Sequence, residues 1–277
     1  MTFSNHEQCE DIELDLFIEA LYRKYGMDFR QYSKAHLKRR LLHRASVNGY
    51  ASISNMQHDL LHTQRLSSQI VSDLSVNVTE MYRDPAFFTE LREKIIPRLK
   101  TYSKIKIWHA GCSSGEEVYS MAIMLKEAGI YDSCLIYATD FNEKILNIAR
   151  KAVYPLELAK EYTSNYIESG GKGDFSDYYV ADNHVFKLKE CLQENIVFAN
   201  HNLVTDGCFG QMHLIICRNV LIYFERPMQD NVFKLFYESL LPNCMLAIGS
   251  KESLQHSSQY KKFKTISSDY PIYQRNI

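Results

Sequence analysis

The sequence contains no run of about 18 uncharged apolar residues, so nothing in it reads as a membrane-spanning helix. It carries almost no net charge, −1 overall, so no global field draws it to nucleic acid or to an anionic membrane, and only local patches matter. It lacks any Cys-x-x-Cys pair. Its 7 cysteines are scattered and odd in number, which argues against a zinc site and a disulfide framework and suits a reducing cytoplasm. A secretory leader is not expected, because Met1–Leu21 is broken by Glu7, Glu10, Asp11, Glu13, Asp15 and Glu19. There is no internal repeat, no low-complexity linker and no Gly-x-Gly-x-x-Gly fingerprint of dinucleotide binding. What is present is an ordinary globular composition: 277 residues, 45% hydrophobic and 23% charged, enough for one large core or two modest ones.

The most informative stretch is Ile105–Leu125. Ile105, Ile107 and His109 alternate with Lys106 and Trp108, which predicts a strand. Gly111–Gly115 predicts a tight turn, and a helix starts at about Glu116. Such a turn presents backbone amides to the crevice at the carboxyl end of the strand, where open α/β sheets bind ligands. Glu116 and Glu117 in the first helical turn suit the positive helix end but repel a bare phosphate. They favour a nucleoside-type ligand that offers hydroxyls or a positive charge. A plain packing turn is the alternative.

Ahead of this stretch, Leu14, Phe17, Ile18, Leu21, Tyr22 and Tyr25 share one helical face within residues 11–25, and Gly26 is a stop. The next helix, Lys34–Arg44, carries five basic residues and no acid. Leu37 and Leu41 face inward, while Lys38, Arg39 and Arg44 point out, either as a solvated face or as a docking surface for an acidic partner. Further helices at about 52–62 and 66–74 complete an all-helical domain of residues 1–75. Ser75–Arg83 alternates like a strand, and Asp84-Pro85 reads as an N-cap followed by a helix to about Leu99.

The second strand of the α/β region ends in Asp140, 29 residues beyond Gly111. Asp140 is placed either to accept hydrogen bonds from ribose hydroxyls or to cap the helix starting near Asn142. Residues 156–195 interrupt the rhythm with short strands at Tyr178–Val180 and His184–Lys189, an insertion long enough to form a subdomain. Leu214–Cys217 is a near-continuous apolar strand, typical of a sheet covered on both faces. A helix over 226–241, a strand at Met245–Gly249 and strand-like Phe263–Ile266 and Tyr270–Tyr273 follow.

Five motifs in this order resemble the CheR-type chemotaxis receptor methyltransferases: Asn77-Val-Thr-Glu-Met-Tyr-Arg83, Gly111-Cys-Ser-Ser-Gly-Glu-Glu-Val-Tyr-Ser120, Ala138-Thr-Asp140, His201-Asn-Leu203 and Cys217-Arg-Asn-Val-Leu-Ile-Tyr-Phe224. The resemblance covers about residues 30–275. It implies an α/β, Rossmann-like methyltransferase sheet over 76–277, a small inserted β-subdomain at about 156–195 and an all-helical receptor-docking domain in front. It implies S-adenosylmethionine as methyl donor, S-adenosylhomocysteine as product and no metal. The substrate would be glutamate carboxylates in the cytoplasmic region of methyl-accepting chemotaxis receptors, the product glutamate γ-methyl esters, and the location cytoplasmic, at receptor arrays. Carried over by position, the resemblance puts Asn77, Thr79 and Arg83 at the donor, Glu117 at its methionine part, Asp140 at its ribose, Asn202 and Leu203 by the adenine, and Arg218 and Asn219 below. Arg83 and Tyr223 match positions important for methyl transfer, and Lys38, Arg39 and Arg44 become a docking surface for glutamate-rich receptor helices. The chain departs from the family pattern at Met81-Tyr82, where Phe-Phe is usual, and at Val118, where proline is usual. The inserted subdomain is similar to one that grips a receptor-tail peptide in some members, though the Gly170–Asp177 loop looks longer here.

Two other function classes compete. A non-catalytic donor-binding scaffold of the same fold is countered by intact Arg83, Asp140 and Tyr223. A nucleic-acid methyltransferase is countered by the near-neutral charge and by Arg218-Asn-Val-Leu after the Leu214–Cys217 strand, which offers no base-stacking clamp.

Overall fold

The computed structural model describes residues 5–63, 66, 69–70, 73–74 and 79–277. The chain forms two compact units, Met1–Val76 with Ile222–Asn231, and Asn77–Leu221 with Val232–Ile277.

The first unit is helical: α1 (Asn5–Tyr25), α2 (Lys34–Val47) and α3 (Ile53–His62). Leu14, Phe17, Ile18 and Leu21 of α1 pack with Leu37, Leu41 and Ala45 of α2 and Ile53, Met56 and Leu60 of α3 as its buried apolar residues. Of these, Leu14, Phe17, Ile18, Leu21, Leu37 and Leu41 are the helical-period positions expected from the sequence, with two corrections. α1 begins six residues earlier than residue 11, and Tyr22 leaves the core face to lie under the Arg30 guanidinium, 3.6 Å from its ring centre. Gly26 stops the helix with a φ of +70°, which costs a residue without Cβ little. The predicted helix over 66–74 lies partly outside the described residues, among which Leu66, Ile70 and Leu74 are buried.

The second unit is built on a seven-stranded sheet among the described residues, in the order β6-β2-β1-β7-β8-β10-β9. Its strands are β1 (Ile105–Ala110), β2 (Cys134–Asp140), β6 (Ile196–Asn200), β7 (Met212–Cys217), β8 (Leu240–Ile248), β9 (Phe263–Thr265) and β10 (Ile272–Arg275). The first five in space pair in parallel, and β10 and β9 close the sheet antiparallel. β1 and β7 are buried at nearly every position, as strands covered on both faces must be. A separate three-stranded antiparallel sheet, β3 (Val153–Pro155), β5 (Val185–Leu188) and β4 (Tyr179–Ala181), holds the inserted subdomain together. It recruits Val153–Pro155, ahead of the predicted edge at 156.

The helices of this unit are α4 (Pro85–Glu90), which passes through a π turn (Leu91–Ile95) into α5 (Ile96–Leu99), then α6 (Glu116–Glu127), α7 (Glu143–Lys151), α8 (Ala159–Glu168) and α9 (Arg226–Ser239), the last shared with the first unit. The π turn ends two residues before Pro97, which cannot donate a helical hydrogen bond to the carbonyl four residues back. The predicted strand over Ser75–Arg83 falls partly outside the described residues, and Thr79–Asp84 is loop and turn, with Tyr82 and Asp84 at φ +54° and +58°. α9 ends two residues short of 241 because β8 begins at Leu240.

Candidate active site

The chain leaves β1 for β2 and β6 on one side and later takes up β7 and β8 on the other, so the topological switch point lies at the carboxyl end of β1. The Gly111–Gly115 turn sits there, with φ of +78° at Gly111, +51° at Ser113 and +93° at Gly115. A Cβ on Gly111 would lie 2.5 Å from Cγ2 of Val220, so this position demands glycine for space as well as for backbone. The amides of Gly111 and Cys112 donate to the Thr139 carbonyl at 2.8 and 2.9 Å, which ties the turn to the end of β2. Asp140 next to it is 8% exposed. Its Oδ2 accepts the Ser113 N–H at 3.1 Å and its Oδ1 accepts the Asn142 N–H at 2.9 Å. Burial pushes its pKa up, against the pull of the Asn142, Ser113 and Phe141 amides. Of the two readings left open for Asp140, the helix cap goes elsewhere: the Asn142 side chain caps α7 by accepting the Lys144 N–H at 3.1 Å.

Below the turn lies a charged cluster. Arg218, at the end of β7, donates from Nη1 to Glu117 Oε2 at 2.9 Å and to the Arg83 carbonyl at 3.1 Å, and from Nη2 to the Asp84 carboxylate. Its guanidinium stacks 4.0 Å from the Phe87 ring centre. His109 of β1 meets the other Glu117 oxygen at 3.2 Å through Nδ1. Burial alone raises the Glu117 pKa, but the His109 hydrogen bond and the Arg218 charge outweigh it and hold the carboxylate below its usual range. Glu117 therefore stays ionised. Its neighbour Glu116 does the reverse: burial pushes it up to about 7, although it accepts the Ser114 hydroxyl at 2.6 Å. Three buried polar atoms in this region lack a hydrogen-bond partner: Ser113 Oγ, His109 Nε2 and Arg218 Nε. A polar ligand with hydroxyl and amino-acid groups fits such a donor and acceptor set.

Two family models match the chain: the CheR methyltransferase SAM-binding domain over residues 77–271 and the CheR methyltransferase all-alpha domain over residues 12–75. The chain belongs to the CheR methyltransferase family. Cher3 of Pseudomonas putida, which bears a methyltransferase name, is 42% identical over 270 residues, covering 98% of this chain and 99% of its own. A chemotaxis protein methyltransferase of Listeria monocytogenes is 29% identical over 90% of this chain and 94% of its own, and one of Vibrio parahaemolyticus is 31% identical over 74% and 75%. The domain that carries the cluster is thus the S-adenosylmethionine-binding domain of a methyltransferase, as the sequence motifs implied. The expected architecture is present: a mostly parallel sheet, a small antiparallel sheet and the all-alpha N-terminal domain of CheR proteins. No helix among the described residues is long and apolar enough to cross a membrane.

Within this CheR-family chain the predicted site residues divide. Glu117 and Arg218 form the cluster, Arg83 joins it through its backbone carbonyl, and Asn219 follows one residue on. Asp140 stands at the neighbouring strand end. Asn202 follows β6, with its Oδ1 already accepting the Val204 N–H at 2.9 Å and its own N–H bound to Asp206, so its side-chain oxygen is committed to a turn. Leu203 is 9% exposed. Thr79 is half-buried, and Asn77 lies outside the described residues. The departures at Met81, Tyr82 and Val118 are fully buried packing positions, so they preserve bulk without entering the polar cluster. Tyr223 belongs to the helical unit, where its ring meets His36 edge-on at 5.6 Å.

The basic face of α2 is not the free surface that the sequence suggests. Lys38 pairs with Glu10 at 3.0 Å and Asp11 at 2.8 Å, and Arg44 pairs with Asp73 through two nitrogens. Only Arg39 of the three is exposed. The acids that neutralise the others come from α1 and from Asp73, well away in sequence. Sequence reasoning also missed Glu252. Its carboxylate accepts the backbone N–H groups of Gly249 at 2.6 Å, Asn219 at 3.2 Å, Val220 at 2.8 Å and Leu221 at 2.7 Å, fixing the turn that follows Arg218. Asn219 adopts φ +60° there, and a Cβ on Gly249 would lie 2.9 Å from the Asn219 nitrogen. The only local signal was the pairing of Gly249 with a nearby acid.

Proposed function

We propose that this CheR-family methyltransferase esterifies glutamate side chains in the cytoplasmic region of methyl-accepting chemotaxis receptors, yielding glutamate γ-methyl esters and S-adenosylhomocysteine. One observation carries the reading: the ionised Glu117, held between His109 and Arg218 at the switch point, lies in a chain matched over both CheR domains. The relatives from Listeria and Vibrio are named chemotaxis protein methyltransferases, which supports a receptor as partner and the cytoplasm as its place of action.

The chemistry is simple and the protein's task is placement. S-adenosylmethionine supplies an electrophilic methyl on a sulfonium sulfur. A glutamate carboxylate is already ionised near pH 7, so the reaction needs no base to generate its nucleophile. Asp140, already fixed by the Ser113 and Asn142 amides, turns its remaining acceptor capacity to the ribose hydroxyls. Glu117 accepts the ammonium of the methionine part, and Asn77 and Thr79 serve the donor as the family resemblance implies. Asn202 and Leu203 flank the adenine, and Arg218 and Asn219 form the floor. Arg83 holds a carboxylate by paired hydrogen bonds, and Tyr223 orients the reacting groups.

The test uses labelled S-adenosylmethionine and membranes bearing a chemoreceptor with unmethylated glutamates. Base-labile label on the receptor is the expected result. Donor binding by calorimetry without any label transfer would reject the receptor as substrate and leave the donor site standing.

A further inference from the structure

We propose that the backbone of Gln31–Ser33 and the ring of His36 are positioning groups that hold Tyr223 for its role in turnover. The inference rests on the reading of Tyr223 as a catalytic residue.

The segment between β7 and α9 is anchored at two places. At its start, Glu252 takes the amides of Asn219, Val220 and Leu221, and these anchors belong to the sheet unit. From Ile222 onward the chain belongs to the helical unit. The Ser33 N–H donates to the Tyr223 carbonyl at 2.8 Å, and the Glu225 N–H donates to the Gln31 carbonyl at 3.0 Å. The two bonds flank an antiparallel bridge between Tyr32 and Phe224. The rings of that bridge meet edge-on at 4.8 Å, and Phe29 meets Tyr32 at 4.9 Å. Phe29, Tyr32 and Phe224 are all buried. The backbone of Tyr223 is thus part of a short two-stranded ladder with the loop that precedes α2. Its side chain is then steadied by His36, whose ring stands at 82° to it. A tyrosine that must orient a methyl group or a carboxylate loses effectiveness with displacements of about 1 Å, so groups that hold both its backbone and its ring act on turnover.

Ser33 allows a narrow test. It precedes α2 with φ −54°, which proline tolerates, and its side chain makes no capping bond. Tyr32 before it is in a β bridge, the conformation that a following proline prefers. Ser33→Pro therefore removes one hydrogen-bond donor, and Ser33→Ala keeps it. His36→Ala removes the ring contact, and His36→Phe restores it. In the full-length enzyme, with receptor membranes as acceptor, Ser33→Pro and His36→Ala should each lower kcat about 3–10-fold, the range of one hydrogen bond or one edge-on aromatic contact. The donor Kd and the receptor KM should not move, and Ser33→Ala and His36→Phe should match the wild type. With 3-fluorotyrosine at position 223, the fluorine resonance should shift or broaden in Ser33→Pro and His36→Ala alone.

Tyr223→Phe separates the two layers. If it is impaired while Ser33→Pro and His36→Ala keep full kcat and an unchanged fluorine resonance, the positioning role is overturned. If Tyr223→Phe itself keeps full kcat, the catalytic role of Tyr223 falls and the inference with it. If the wild type methylates no receptor, the receptor reading fails. The fluorine spectra then decide the holding of Tyr223, moved resonances sustaining it and unmoved ones overturning it.

Discussion

Arg218 and Arg44 each grip a carboxylate through their guanidinium groups, but they do so in different surroundings. The Arg218 side chain is 2% exposed and serves Glu117, Asp84 and the Arg83 carbonyl together. Arg44 is 25% exposed and serves Asp73 at a surface that water reaches. The first cluster is small and its charges are not apparent as a run in the sequence. The second belongs to the most basic stretch of the chain, yet its Lys38 and Arg44 are neutralised within their own unit. The lesson is that charge density along a chain says little about where charge does chemistry. Burial sets the energetic scale: exposed pairs contribute about 0–1 kcal/mol, and breaking a buried pair costs about 3–5 kcal/mol.

The sharpest way to break this comparison is Arg218→Met. It leaves Glu117 with His109 as its remaining partner in the cluster. A loss of about 3–5 kcal/mol in urea unfolding is expected, together with loss of donor binding in calorimetry. A stability within about 1 kcal/mol of wild type would place Arg218 in the same class as Arg44. Next in size is Asp140→Ala. On the proposed role of Asp140 at the ribose, its removal should weaken S-adenosylmethionine binding by about 10–100-fold, with S-adenosylhomocysteine affected equally. Unchanged affinity would return Asp140 to the role of a turn-forming residue.

Glu116 provides a comparison inside the site, since it and Glu117 are adjacent and shifted in opposite directions. Its pKa is raised from 4.5 to about 7 in the folded protein. Between those values the folded state keeps a proton that the unfolded chain has released, so stability falls as pH rises through this window and is level above it. Wild type should lose on the order of 2 kcal/mol between pH 5 and 8 relative to Glu116→Gln, read from urea midpoints at each pH. Parallel pH curves for the two proteins would show that Glu116 is not buried as described. The smallest effects belong to α2. Lys38→Ala and Arg44→Ala should each shift stability by less than about 1 kcal/mol. Arg39→Glu is the cleaner probe of docking, because reversing Lys38 or Arg44 would also repel Asp11 or Asp73. It should reduce receptor methylation at low salt and leave donor binding intact, and equal methylation rates at low salt would remove α2 from the docking surface.

Much of the architecture was readable from contiguous residues. Helical periodicity placed Leu14, Phe17, Ile18, Leu21, Leu37 and Leu41 inside, and alternation followed by Gly111–Gly115 located the β1 turn. Both signals are local, because side chains three or four apart on a helix, or two apart on a strand, share a face whatever the rest of the chain does. Strand order, however, is a property of crossovers, and no local pattern shows that β7 lies beside β1. The motifs named Glu117, Asp140 and Arg218 one at a time. That Arg218 and Glu117, 101 residues apart, form one ion pair depends on that strand order.

The residues the sequence misjudged share a cause. Lys38 and Arg44 read as outward charge because their partners, Glu10, Asp11 and Asp73, are distant in the chain and face them only after the helices pack. Glu252 looked like any polar residue until β8 brought it beneath the amides of Asn219–Leu221. Amino-acid order sufficed for most element types, for most of the core faces and for the family motifs, since each is written within a few neighbouring residues. Which charges cancel, which carboxylate stays ionised and which unit holds Tyr223 follow from contacts between segments remote in sequence. Such contacts exist only once the chain has folded, because burial and hydrogen-bond geometry are set by what packs alongside.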